Sequence, residues 1–215
     1  MSIKVSMALR LVGGVTAAWA IAFVTAATIA YIVENPDFSF FTTYLSDIGD
    51  SAGWPQTLFN SGTLIAAPMR FLFLALVVVC LYELGAGRLF VILVLALGAV
   101  STAGTVLMTA VPFSDAPAIH KMGIPMYFWG VVLLQGIVGV REWSLRMCPG
   151  VLPITSLSVA GIFIVFGTLL SVSQSGSLDR NVPVVWEWLA YLSSVIWVVV
   201  HSIALVTVDS FDDDK

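Results

Sequence analysis

The sequence predicts an all-α integral membrane protein whose six spanning helices form one domain over residues 1–215. The composition, and the length and continuity of the apolar segments, lead to this prediction. Hydrophobic residues make up 59% of the chain and charged residues only 10%, with a mean hydropathy of +1.01. Soluble domains usually carry about 25% charged residues. This chain therefore has too little polar surface to cover a water-soluble globule.

The backbone restricts how such a chain can cross lipid. Inside a bilayer every N–H and C=O group must be bonded within the protein, which leaves helices or a closed β-barrel. A barrel would show segments of about ten residues in which polar and apolar residues alternate. The apolar segments of this chain are continuous and reach the roughly 20 residues that a spanning helix needs. Helices are therefore predicted.

Six segments have this length and polarity. They cover residues 11–33, 61–83, 89–111, 122–140, 151–173 and 185–208. The fourth is the shortest and is predicted to be broken by Pro125, although neighbouring helices can bond the carbonyl that a proline frees. Lys4 and Arg10 precede the first segment, as basic residues do in a signal peptide. Its apolar stretch exceeds the usual 7–15 residues of such a peptide, so we expect a retained helix.

The distribution of Lys and Arg predicts the orientation, because cytoplasmic loops are enriched in these residues. With the N-terminus inside, Lys121 and Arg180 are the basic residues of the outer side. The inner side then holds Lys4, Arg10, Arg88, Arg141, Arg146 and Lys215. This excess predicts that both termini lie in the cytoplasm.

A long outer connection, residues 34–60, separates the first two predicted spans. Long loops in compact domains are usually functional or disordered, and the aromatic residues of this one argue against disorder. They are Phe38, Phe40, Phe41, Tyr44, Trp54 and Phe59. We expect the connection to fold onto the membrane interface, where aromatic rings are favoured, and a short amphipathic helix over residues 40–48 is one form it could take.

Ionisable residues cluster on the predicted outer side. The candidate ligand-binding residues are Asp47, Arg70, Asp115, His120 and Glu187. Arg70 lies within a predicted span, about 13 Å from its outer end at 1.5 Å per residue, and a charge at that depth needs a partner. Asp47 and Glu187 are the expected partners. Two interpretations stay open: a salt bridge that fastens the outer loop, and a pocket in which Arg70 binds an anionic group.

Other chemistry has weaker support in the sequence. His120 could act with Asp115 and Asp47 as a general base or metal ligand, but His201 is expected to lie far away, near the other end of the bundle. No metal and no other cofactor is predicted. A serine nucleophile needs an adjacent base, and no G-x-S-x-G motif is present. The hydroxyl and small residues of the spans, including Gly98, Ser101 and Gly104, are predicted to serve close helix packing.

Short motifs on the outer side carry a family resemblance. The segments YLSDIG (44–49), WP (54–55), FNSGTLIA (59–66) and VPFSD (111–115), with His120, resemble the domain of unknown function 998 family. That family consists of small prokaryotic membrane proteins of about six helices, so the resemblance implies a prokaryotic plasma membrane. It assigns no activity. More distantly, the chain is similar to the eukaryotic DRAM, Frag and Sfk-like membrane proteins, a similarity that suggests lipid handling.

Three functions remain open at this level. The favoured one is a non-enzymatic protein that binds a lipid or other amphiphile in an outward-facing polar pocket. The second is an intramembrane lipid-remodelling hydrolase. The third is a structural or accessory subunit that contacts other membrane proteins or further copies of itself. The net charge of −4 and pI near 4.9 exclude the basic surface that nucleic acid binding requires.

Overall fold

A computed structural model describes residues 3–110 and 116–207, which form seven helices. Six of them are long and apolar enough to cross a membrane, which confirms the predicted all-α architecture with six spans. The helices are α1 (Ile3–Glu34), α2 (Leu45–Asp50), α3 (Trp54–Glu83), α4 (Arg88–Ala110), α5 (Pro117–Ser144), α6 (Val151–Gln174) and α7 (Val182–Thr207).

Several helices extend beyond their predicted spans. The α3 helix begins at Trp54, seven residues before the predicted start, directly after Gly53, whose φ of 81° ends the preceding segment. The α5 helix runs over 28 residues and continues through Pro125, so the predicted break there is wrong. Hydropathy identifies the part of a helix that lies in hydrocarbon, whereas the hydrogen-bonded helix continues into polar residues beyond it.

The six long helices form a closed ring. Neighbours around it are α1, α3, α4, α5, α6 and α7, and α7 packs against α1. One end of the ring, here called the loop side, carries residues 35–53 and the α6–α7 connection at 175–181. The opposite end, the terminus side, carries the start of α1 and the short connections 84–87 and 145–150. The orientation with the terminus side in the cytoplasm stays a prediction.

Small residues allow α4 and α5 to approach closely, as the sequence predicts. A Cβ atom at Gly104 would lie 2.4 Å from the backbone nitrogen of Tyr127 and 2.7 Å from the carbonyl oxygen of Gly123. The Ser101 hydroxyl donates a hydrogen bond to the Tyr127 carbonyl at 3.4 Å. Without a hydrophobic force between helices in lipid, such backbone proximity supplies much of the packing energy.

The segment 35–53 folds back over the loop side of the ring. Its helix α2 contacts α1, α3 and α7, and Ile48 on this helix is fully buried. The predicted helix over residues 40–48 is therefore displaced to Leu45–Asp50. Asp47 within α2 accepts a hydrogen bond from the backbone N–H of Tyr44, the residue directly before the helix, whereas Phe40 and Phe41 are exposed.

Gly104→Ala is expected to lower the free energy of unfolding by about 1–3 kcal/mol, the usual cost of overpacking, because the new methyl group meets backbone atoms that cannot rotate away. Thermal denaturation in mild detergent measures the effect. Gly136→Ala on α5 is the matched control, since no atom lies within 4 Å of a Cβ atom there. Equal melting temperatures for the two variants would contradict the close contact.

Candidate functional site

An ion pair joins α2 to the α6–α7 connection on the loop side. Both carboxylate oxygens of Asp47 accept from one guanidinium nitrogen of Arg180, at 2.7 and 2.8 Å. The same guanidinium donates to the Thr42 carbonyl at 3.3 Å and lies over the Tyr44 ring, 4.8 Å from its centroid. The hydrogen bond to Asp47 raises the pKa of Arg180. The pair is exposed to solvent, so it positions the loop while adding little stability.

Glu187 of α7 caps the start of α2. Its carboxylate accepts from the backbone N–H of Leu45 at 2.6 Å and of Ser46 at 3.4 Å. These are N–H groups of the first helical turn, which have no partner within the helix, and a negative charge is favoured beside them. The adjacent Trp188 donates its indole N–H to the Thr43 carbonyl at 3.0 Å. We call these contacts of Asp47, Arg180 and Glu187 with residues 42–47 the loop clip.

Tyr44 completes the loop clip. Its hydroxyl donates to the Arg180 carbonyl at 2.7 Å, and its backbone N–H is capped by the Asp47 carboxylate at 3.0 Å. Burial of the side chain raises the pKa of the Tyr44 hydroxyl above 10.0. The group therefore remains a hydrogen-bond donor throughout the neutral range.

Arg70 lies near the middle of the longer helix that the structure shows. It is 16 residues after Trp54 and 13 residues before Glu83, close to the middle of α3. The predicted depth of about 13 Å is counted from Ser61, whereas the helix itself begins seven residues earlier, at Trp54. The side chain is half-buried, so part of its surface remains accessible.

The partners of Arg70 also differ from the expected ones. Its guanidinium donates to the Thr105 hydroxyl at 3.4 Å and lies 5.9 Å from the centroid of the Tyr127 ring. The two carboxylates expected to pair with it, Asp47 and Glu187, are engaged in the loop clip. The salt bridge expected between Arg70 and one of these carboxylates is therefore absent from the described residues, and Arg180 is the cation that pairs with Asp47.

The remaining candidates are His120 and Asp115. His120 is in the first turn of α5, where its backbone N–H bonds to the Ala116 carbonyl at 3.1 Å. Asp115 lies outside the described residues. His120 and His201 are at opposite ends of the ring, as predicted. Within residues 3–110 and 116–207, no group of three or more His, Cys, Asp or Glu side chains is placed to hold a metal ion.

A second polar cluster, which sequence reasoning missed, is buried on the terminus side. Glu142 of α5 accepts from His201 Nε2 of α7 at 2.7 Å and from the Ser156 hydroxyl of α6 at 2.7 Å. Trp197 donates its indole N–H to the Ser156 oxygen at 2.9 Å. Glu142, Ser156 and His201 are each 1% exposed or less. We call these four residues the buried cluster.

The hydrogen bonds of the buried cluster determine its proton count. His201 Nδ1 lies 2.9 Å from the Trp197 carbonyl. A carbonyl can only accept, so Nδ1 carries a proton. Ser156 accepts from Trp197 and must donate to Glu142. One further proton is then shared between His201 Nε2 and Glu142, and the pair as a whole is neutral whichever atom holds it.

This arrangement differs from that of a serine nucleophile and its base. In such a triad the serine donates to one imidazole nitrogen and the carboxylate accepts from the other. Here Ser156 donates to the carboxylate, and its oxygen is 3.4 Å from the nitrogen of His201 that also contacts Glu142. The buried cluster therefore does not support the predicted hydrolase. Its hydrogen bonds join α5, α6 and α7 to one another.

The buried cluster was missed because Glu142 lies outside the apolar window of the fourth predicted span, which ends at residue 140. In the structure α5 continues to Ser144. Glu142 precedes the end of α5 by two residues, Ser156 follows the start of α6 by five, and His201 precedes the end of α7 by six. Antiparallel helices place these positions at similar depth. A search for the partner that a histidine within a span requires could have found them.

Glu187→Gln is expected to loosen α2 while leaving the ring intact. The loss of a charged acceptor costs about 1–1.5 kcal/mol, so amide hydrogen exchange at Leu45 and Ser46 should become about tenfold faster. Peptide-resolved exchange mass spectrometry measures this, with Asp50→Asn on the exposed side of α2 as the control. Unchanged exchange at both amides would show that Glu187 does not hold the helix.

Glu142→Leu and His201→Leu are each expected to lower the free energy of unfolding by about 3–5 kcal/mol, because each leaves a buried polar partner unpaired. The double variant should be destabilised by at least about 1 kcal/mol less than the sum of the two. Thermal denaturation of the four proteins measures the coupling. Thr155→Val, which removes a hydroxyl bonded only within α6, is the control. Additive effects would disprove the coupling.

Comparison of the chain with protein-family models, with curated proteins and with solved structures finds no match. The resemblance to the domain of unknown function 998 family and to the DRAM, Frag and Sfk-like proteins therefore stays a prediction. The geometry of the described residues shows an all-α polytopic membrane protein that is fastened by an exposed clip at one end and by a buried cluster at the other.

Proposed function

We propose that this membrane protein binds an anionic amphiphile whose phosphate or carboxylate contacts Arg70. The observation that carries the proposal is an arginine near the middle of a spanning helix whose described partners are both neutral, the Thr105 hydroxyl and the Tyr127 ring. A charge at that depth is costly without a counter-charge. Among residues 3–110 and 116–207, no carboxylate forms an ion pair or hydrogen bond with it.

The donor capacity of Arg70 supports this proposal. A guanidinium has five N–H donors in a planar fork that matches the oxygens of a phosphate or carboxylate. The hydrogen bond to Thr105 uses one donor, at a long 3.4 Å. The guanidinium carbon lies 5.9 Å from the centroid of the Tyr127 ring, a contact that provides no oxygen acceptor for the remaining donors. Arg70 can therefore donate two hydrogen bonds to one anion while it keeps its contacts with Thr105 and Tyr127.

The segment 35–53 supplies an entrance for an amphiphile. Phe40 and Phe41 are 53% and 70% exposed, and Trp54 at the start of α3 is 71% exposed. Aromatic side chains favour the headgroup level of a bilayer, so these rings would rest beside lipid entering from the loop side. Asp47 and Glu187 then hold this segment in position through the loop clip instead of contacting the ligand. Contacts of His120 and Asp115 with the ligand stay predictions.

Arg70→Gln is expected to abolish the preference for anionic lipid that this site provides. The purified full-length protein should be stabilised by phosphatidylglycerol more than by phosphatidylcholine, because a ligand that binds the folded state raises the melting temperature. Native mass spectrometry and thermal shifts measure this preference. Arg180→Gln, which removes a loop-side arginine of the loop clip, is the control. Arg70→Lys should retain part of the preference, since a lysine keeps the charge but loses the fork.

The lipid dependence separates a binding role from a structural one. A lower melting temperature of Arg70→Gln would by itself show only that Arg70 stabilises the fold. The proposal is wrong if Arg70→Gln retains the wild-type difference in thermal shift between the two lipids.

A further inference from the structure

A cleft runs along the outer wall of the ring between α4, α5 and α6. Its volume is about 790 Å³, within the range of about 300–1,000 Å³ typical of small-molecule sites. Apolar side chains form most of its walls, among them Phe90, Leu133, Val140, Leu157 and Ile164. Leu133 and Ile164 are about half exposed. The cleft therefore opens toward surrounding lipid.

Two glycines make room for the cleft. Gly136 of α5 and Gly161 of α6 line it, and no atom lies within 4 Å of a Cβ atom built at either position. Other glycines of the same helices, such as Gly123 and Gly139, instead lie against a neighbouring helix, where a Cβ atom would clash. Close packing between the helices of the ring therefore does not require a glycine at position 136 or 161.

An arginine lies at the terminus-side end of the cleft. One terminal nitrogen of Arg141 donates to the Gly85 carbonyl, and the other donates to the Ser144 hydroxyl at 3.2 Å. Each terminal nitrogen carries two hydrogens, so one N–H on each remains for a further acceptor. The contacts with Gly85 and Ser144 hold the guanidinium in place at the mouth of an otherwise apolar cleft.

The length of the cleft matches one leaflet of a bilayer. Eleven residues of α5 separate Leu133 from Ser144, which at 1.5 Å per residue is about 16 Å. The hydrocarbon core of a bilayer is about 30 Å thick, so the cleft is about half as long as that core. Arg141 lies near the terminus-side end of the cleft.

We propose that this cleft binds one anionic phospholipid, with an acyl chain beside Gly136 and Gly161 and the phosphate at Arg141. The site is separate from Arg70 and does not depend on the function proposed for it. A smaller cleft between α3 and α4 also combines apolar walls with one arginine. Its volume is about 270 Å³, and the arginine is Arg88. A second copy of the chain would cover apolar walls, but it gives no reason for an arginine with spare donors at the cleft end.

Gly161→Leu tests the acyl-chain part of the site. Gly161 lines the cleft and no atom lies within 4 Å of a Cβ atom there, so the protein is expected to fold normally. The full-length protein is titrated in mild detergent with dioleoyl phosphatidylglycerol or dioleoyl phosphatidylcholine, and bound lipid is counted by native mass spectrometry. We expect wild-type protein to bind the anionic lipid at least about tenfold more tightly. Gly161→Leu should bind it about tenfold more weakly than wild type does.

Arg141→Gln tests the phosphate contact. In an Arg70→Gln background, which removes the other proposed site, it should reduce affinity for phosphatidylglycerol to the level of phosphatidylcholine while leaving the latter unchanged. The controls are Gly14→Leu, at an open glycine of α1 outside the cleft, and Arg146→Gln, which removes an exposed charge near the same end. Both should bind lipid as wild type does. If Arg141→Gln fails to fold because the Gly85 contact is lost, Gly161→Leu decides the question alone.

Two results would overturn this proposal. One is wild-type affinity for phosphatidylglycerol in Gly161→Leu. The other is a dimer in wild-type protein that Gly161→Leu dissociates, without a lipid preference, which would assign the cleft to a second copy. Arg70→Gln in the same titration separates the two sites. A preference that disappears in Arg70→Gln and persists in Gly161→Leu and Arg141→Gln would support the loop-side site and reject the cleft.

Discussion

The contact between Glu142 and His201 is the constraint on which the arrangement of the last three helices depends. Both side chains are excluded from solvent, and an unpaired charge there would cost several kcal/mol. Each therefore requires the other, and Ser156 must lie beside them to donate to the second carboxylate oxygen. Because the three residues come from α5, α6 and α7, satisfying one carboxylate sets the depth and rotation of three helices at once. In lipid, where apolar surface alone does not hold helices together, such a polar requirement helps to specify which faces meet.

The two ends of the ring are held by different chemistry. On the terminus side the polar contacts are buried and require each other. On the loop side Arg180 and Asp47 meet at an exposed surface, and Glu187 contacts the backbone of a six-residue helix. The exposed Arg180–Asp47 pair contributes about 0–1 kcal/mol, whereas breaking a buried pair such as Glu142–His201 costs about 3–5 kcal/mol. Of these two ion pairs, the one on the terminus side therefore contributes more to stability.

The sequence predicts the six spans and the close packing at Gly104 because both follow from local composition. It does not predict which charged residues pair with each other. Arg70 was expected to pair with Asp47 because it is the one cation within a predicted span, whereas Arg180 reaches Asp47 from the α6–α7 connection. That contact depends on the packing of α7 against α1, which no local sequence pattern indicates. Glu142 was missed for a related reason, since a carboxylate beyond an apolar window is indistinguishable from a loop residue until the order of the helices is known.

At the end of α5, two neighbouring residues face different environments. Arg141 and Glu142 are adjacent, and successive residues of a helix point about 100° apart. Glu142 therefore faces the interior of the ring, where it is 1% exposed, while Arg141 reaches the lipid-facing cleft and the α3–α4 connection. Rotation of α5 would withdraw Glu142 from His201 and Arg141 from Gly85 together. The buried cluster thus fixes the guanidinium at the mouth of the cleft, and a phosphate bound at Arg141 would in turn favour the rotation of α5 that keeps Glu142 paired.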